Sequence, residues 1–149
     1  MAVRLRAGRW WALSALLAAG ALVGALQPSH ALDWQPALAY AQPWRAWSAA
    51  FVHWSARHLS ANLGALLLVG ALGAAAGCQG RATLAWALAW PTGHALLLLQ
   101  PRLLHYGGLS GVLHAGVAVA AGGERAGAEE QTAGARERHG GLRSVEAPA

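Results

Sequence analysis

Four apolar blocks, residues 10–26, 59–77, 82–99 and 109–121, limit the fold more than any other feature of the chain. They are continuous. A surface helix of a soluble protein would instead carry an apolar stripe at three- to four-residue spacing. Continuous blocks of this length read as membrane spans. With 56% hydrophobic and 11% charged residues, the chain is too apolar for an ordinary soluble domain. The expected fold is all-α, a multi-pass transmembrane helical bundle of four helices, and 149 residues allow one domain.

Charge gives the orientation. Every basic residue is an arginine, and the arginines lie at segment ends, which marks topology rather than nucleic-acid binding. The expected partner is therefore the lipid bilayer, with no nucleic acid. Arg4, Arg6 and Arg9 precede the first block, and Arg81 lies in the turn after the second. These ends are assigned to the cytoplasm; the loop of residues 27–50 and the turn at Arg102 are assigned to the outer side. The first block has a rival reading as a cleaved signal peptide, with Ser29-His30-Ala31 as a small-x-small site. A retained helix is preferred because further membrane helices follow. The single Cys78 forms no disulfide framework. The loop of residues 27–50 carries Trp34, Tyr40, Trp44 and Trp47, an interfacial composition. Beyond Ala121 the chain turns polar and holds five of its six acidic residues. The division is thus a membrane domain at 1–121 and a disordered cytoplasmic tail at 122–149.

The chemistry centres on Tyr106-Gly107-Gly108-Leu109-Ser110-Gly111-Val112-Leu113-His114, where a loop becomes the last apolar helix. That helix is roughly 20 Å long against ~30 Å of hydrocarbon, so its first turn lies below the near membrane face. Non-helical backbone at that depth must be buried in protein or line a wet cavity. Ser110 would then stand at a helix N-terminus, where unpaired N–H groups favour an oxyanion. Gly-x-Ser-Gly alone is also what an ordinary loop and helix start would show. On the second helix His58 and Asn62, at i and i+4, share one face near the outer end. Polar residues there face an interior or a cavity, either for chemistry or for interhelical hydrogen bonds. Gly70, Gly73 and Gly77 offer a small surface for close helix packing. On the third helix a kink is expected at Pro91 and Gly93. His94, beyond it, reads either as a relay or ligand, or as a packed, hydrogen-bonded histidine. His53, His58, His94, His105 and His114 form no pair with metal-ligand spacing. No metal or other cofactor is expected, and a metal or haem protein would leave Asn62 unexplained.

Two stretches taken together resemble the rhomboid family of intramembrane serine proteases. They are His53-Trp54-Ser55-x-x-His58-x-x-x-Asn62 and Gly108-Leu109-Ser110-Gly111. Trp44-Arg45 and the full run from Tyr106 to His114 look most similar to the rhombosortase subgroup, and the resemblance covers residues 32–121. It implies a serine endopeptidase of the bacterial inner membrane with Ser110 as nucleophile. His58 and Asn62 would help the Ser110 N–H hold the oxyanion, and His53 would order the loop above the site. Gly108, Gly111 and His114 would support it. The substrate class implied is a secreted protein held by a C-terminal Gly-Gly-containing membrane anchor. The family's general base is a histidine on a later helix, normally the sixth, and no counterpart is found here. His114 lies one turn from Ser110 on the same helix, and His139 lies in the polar tail. A serine without a base is a weak nucleophile, so the expectation is a rhomboid-like domain lacking its last helices, truncated or frame-shifted near Gly122, with little proteolysis. The alternative is a catalytically dead relative that binds membrane substrates.

Overall fold

The computed structural model describes residues 7–100 and 102–123. The tail from residue 124 onward, with His139, and the basic pair Arg4 and Arg6 lie outside the described residues. Among those described, the fold is all-helical: α1 (Gly8–Gly24), α2 (Ser29–Leu32), α3 (Arg45–Ser48), α4 (Ala56–Ala75), α5 (Gly80–Leu96) and α6 (Ser110–Gly123). Short 3₁₀ turns lie at Pro36–Leu38, Ala49–Phe51 and Leu97–Leu99. The segments Ala56–Ala75 and Gly80–Leu99, of 20 residues each, are long and apolar enough to cross a membrane. Helix α6 keeps Gly122 and Gly123, two residues that the sequence reading gave to the tail.

Local chemistry explains where the helices start and stop. Ser55, in extended backbone, accepts the His58 N–H at 3.1 Å through its side chain and so starts α4 at Ala56. Gly77 ends that helix at φ +66°. The Cys78 N–H donates to Gly73 C=O at 2.8 Å and the Gly77 N–H to Ala74 C=O at 3.2 Å, a Schellman closure. Gly77 is therefore a cap, and the packing expected of it falls to Gly70 and Gly73. Helix α5 runs unbroken through Pro91. Pro91 still deprives the Ala87 carbonyl of its usual donor.

Two indoles form the centre of the bundle. Trp10 of α1 and Trp86 of α5 are fully buried, with ring centroids 4.3 Å apart. Each buried N–H has a helix carbonyl as partner: Trp10 Nε1 donates to Val69 C=O at 3.1 Å and Trp86 Nε1 to Val112 C=O at 2.7 Å. Glycines make the close approach possible. A Cβ on Gly73 would fall on the Trp10 indole, and one on Gly116 would stand 2.8 Å from both Trp86 Cε2 and Val69 Cγ1. Leu17 and Ala21 of α1, Leu66 of α4, and Leu113 and Ala120 of α6 complete one core shared by the four longer helices.

This core yields a stability prediction. Trp86→Ala should lower unfolding free energy in micelles by about 3–5 kcal/mol. Trp86→Phe, which keeps most of the ring and loses the bond to Val112, should cost about 1–3 kcal/mol. Gly116→Val should destabilise as well, because Trp86 and Val69 leave no room for its side chain. Denaturant titration in micelles checks all three.

Candidate active site

The loop ahead of α6 is pinned on both sides. Trp34 and Tyr106 form an antiparallel bridge, N–H to C=O at 2.8 and 2.9 Å. The Gly108 N–H donates to Ala49 C=O at 2.8 Å. Leu109, fully buried, then caps α6, and its carbonyl accepts the Leu113 N–H at 2.9 Å. The N–H groups of Ser110, Gly111 and Val112 precede that first ladder bond and have no partner within the helix. Ser110 is the first residue of α6, at the positive end of its macrodipole.

His58 and Asn62 converge on this junction. Gly108 has φ +115°, a conformation open to glycine. A Cβ there would lie 2.8 Å from His58 Cε1, 2.9 Å from His58 Nε2 and 3.6 Å from Asn62 Nδ2. Asn62 is buried, and its Nδ2 has no hydrogen-bond partner. Asn62, Ser110 and His114 line one cleft of about 420 Å³ between α4 and α6, walled by Ala65, Val69 and Leu113. The cleft is therefore bordered by Asn62, whose amide nitrogen is buried and unsatisfied, and by a serine at a helix N-terminus. An oxygen that develops negative charge there would have donors already in place.

The supporting residues divide. His53 packs against His58, ring centroids 5.0 Å apart, and its Nδ1 donates to Phe51 C=O at 3.2 Å. His114 is exposed; its Nδ1–H donates to the Ser110 carbonyl at 2.7 Å, so it is tied to the backbone and not to the hydroxyl. Gly111 leaves room for Tyr106, whose Oη would be 3.0 Å from a Cβ at that position. The Ser110 hydroxyl has Tyr106 Oη as its partner at 3.3 Å. The sequence reading gave Tyr106 no role; its spacing of four from Ser110 was the available signal.

A second polar group braces the same loop. Asp33, 1% exposed, accepts from Arg45 Nη1 at 3.0 Å, Gln35 Nε2 at 2.8 Å and His105 Nδ1 at 2.5 Å. Arg45 also donates to the Asp33 and His30 carbonyls at 2.7 and 3.1 Å. His105 precedes Tyr106, so this cluster joins the first loop to the segment entering Ser110. His94 is buried and hydrogen-bonded, Nδ1 to Ala46 C=O at 2.6 Å, with its ring 5.4 Å from that of Tyr106.

His53 supplies a pH prediction. Burial, with a smaller contribution from neighbouring His58, pushes its pKa below the ordinary value of 6.5, against the Phe51 carbonyl, which raises it. The unfolded chain then binds more protons just below pH 6.5, so stability is complete above that pH and falls as pH drops through the window. Thermal unfolding in micelles should show this loss as pH falls below 6.5, and His53→Gln should flatten it. In comparisons with known proteins, no family model, no curated protein and no solved structure matches this chain.

Proposed function

We propose that the chain is a rhomboid-type intramembrane serine endopeptidase of the rhombosortase kind, set in a bacterial inner membrane with its N-terminus cytoplasmic. The observation that carries the reading is the shared cleft. Ser110 opens α6 at its N-terminus, Asn62, whose buried Nδ2 is unpaired, lines the same cleft, and His58 lies against Gly108. In this reading Ser110 attacks a peptide carbonyl, and its own N–H, Asn62 Nδ2 and His58 Nε2 hold the oxyanion. Four spans are proposed. The two 20-residue apolar helices support the central pair, and the close packing of α1 through Trp10 supports its retention. The substrate is a secreted protein with a C-terminal Gly-Gly-containing anchor.

No histidine takes the Ser110 proton by direct contact in this reading. Among the described residues the hydroxyl of Ser110 is hydrogen-bonded to a phenol and not to a histidine. Base assistance typically contributes ~10²–10⁴-fold. The same observation favours a second reading, a relative that holds membrane substrates without cleaving them.

Ser110 should react with a fluorophosphonate probe in membranes, and Ser110→Ala should abolish the label. Asn62→Ala should slow labelling and cleavage of a Gly-Gly-anchored reporter by ~10²–10³-fold, the usual effect of removing one oxyanion donor. Retention of the reporter with no Ser110-dependent label or cleavage decides for the second reading. For topology, reporter fusions at Gln27 and Arg102 should give outer signals and a fusion at Gln79 a cytoplasmic one. A cytoplasmic signal at Arg102 refutes the four-span arrangement.

A further inference from the structure

The geometry points to His94 as the proton acceptor for Ser110, acting through the Tyr106 hydroxyl; this rests on the serine-peptidase reading above. His94 lies near the loop-side end of α5 and is 3% exposed. Its Nδ1, 2.6 Å from Ala46 C=O, must carry the proton of the neutral ring to make that bond. That leaves Nε2 as a bare lone pair. Nε2 is buried and has no hydrogen-bond partner. A buried imidazole nitrogen of this kind is costly unless something uses it. Trp90 Nε1, on the same cavity, is committed to Trp47 C=O at 3.2 Å.

A cavity lies between His94, Tyr106 and the first turn of α6. It measures about 170 Å³ and is lined by His94, Tyr106, Trp90, Gly93 and Gly111. The rings of His94 and Tyr106 stand 5.4 Å apart at 58°, and Tyr106 Oη is 3.3 Å from Ser110 Oγ. The path is thus Ser110 Oγ, Tyr106 Oη, His94 Nε2, with the phenol turning within this cavity to reach the imidazole. His58 and His114 do not compete for it: His58 lies against Gly108, and His114 is held by the Ser110 carbonyl.

The step balances. Ser110 Oγ bonds to the substrate carbonyl carbon, and the carbonyl π pair moves to oxygen. The Oγ–H proton passes to Tyr106 Oη as the phenol's own proton moves to Nε2. The imidazolium, with its Nδ1–H on Ala46 C=O, returns the proton by the same route to the leaving amine nitrogen as the C–N bond breaks. A hydrolytic water then loses its proton along the path and releases the acid from Ser110.

The experiment uses the full chain in native membranes or micelles and follows fluorophosphonate labelling rates. His94→Asn keeps an amide donor for Ala46 C=O and lacks the base. It should keep its unfolding temperature and label ~10²–10⁴-fold more slowly. Tyr106→Phe keeps the ring and breaks the path, and should slow labelling by at least ~10-fold. His94→Ala should regain labelling with added imidazole and not with pyrazole, which has the same shape and is a far weaker base. A rate within about twofold of wild type in both His94→Asn and Tyr106→Phe, with Ser110→Ala silent, overturns the relay and leaves the peptidase reading standing. Rescue by both heterocycles or by neither overturns it too. If His94→Asn fails to fold, Tyr106→Phe and the rescue pair decide. Absence of Ser110-dependent labelling in the wild type removes the peptidase reading and the relay with it.

Discussion

The site depends on a buried carboxylate. Asp33 is the sole acidic group among the described residues and is almost wholly out of water. Isolated burial of a charge is prohibitive, so the fold must bring donors to it. Arg45, Gln35 and His105 do so, and Arg45 adds two backbone carbonyls of the same loop. Loss of one partner from such a cluster leaves an uncompensated charge and typically costs ~3–5 kcal/mol. The Trp34–Tyr106 bridge sits directly beside this cluster, one residue along from Asp33 and one from His105. The entry to Ser110 is therefore braced by a polar staple outside the apolar core.

The apolar core does a different task with different chemistry. It joins helices by van der Waals contact between indoles and glycines, and it satisfies both indole N–H groups with helix carbonyls. Apolar burial alone would leave rotation and sliding of a helix weakly specified. A buried donor with a single geometric partner specifies both. The staple fixes the loop, the indoles fix the helices, and the serine stands where the two systems meet.

Much of this was legible in the sequence, and the omissions have physical causes. The apolar blocks gave four helices, because continuous apolar runs need few other assumptions. Boundaries moved where a single residue decided them: Ser55 draws the start of α4 back to Ala56, and Gly77 turns its end. Of the i, i+4 pair only Asn62 lines the cleft, while His58 lies against Gly108; the shared face was legible because that spacing is a property of the helix itself. Asp33 and His105 are 72 residues apart, and no local pattern relates them. Tyr106 was missed for a similar reason. Its hydroxyl reaches Ser110 because the loop doubles back against Trp34, a non-local pairing. Whether His94 was a packed residue or a relay stayed open, since the answer lies in which ring nitrogen faces Ala46.

The bond from Trp86 to the Val112 carbonyl has a consequence for depth. Val112 is two residues from Ser110, about 3 Å along the helix axis. Trp86 is anchored in α5, one of the two segments long enough to cross a bilayer. The indole therefore acts as a ruler: it sets the height of Ser110 from a neighbouring helix. A slip of α6 by one turn would shift Ser110 by ~5.4 Å, beyond the reach of any hydrogen bond in the cleft.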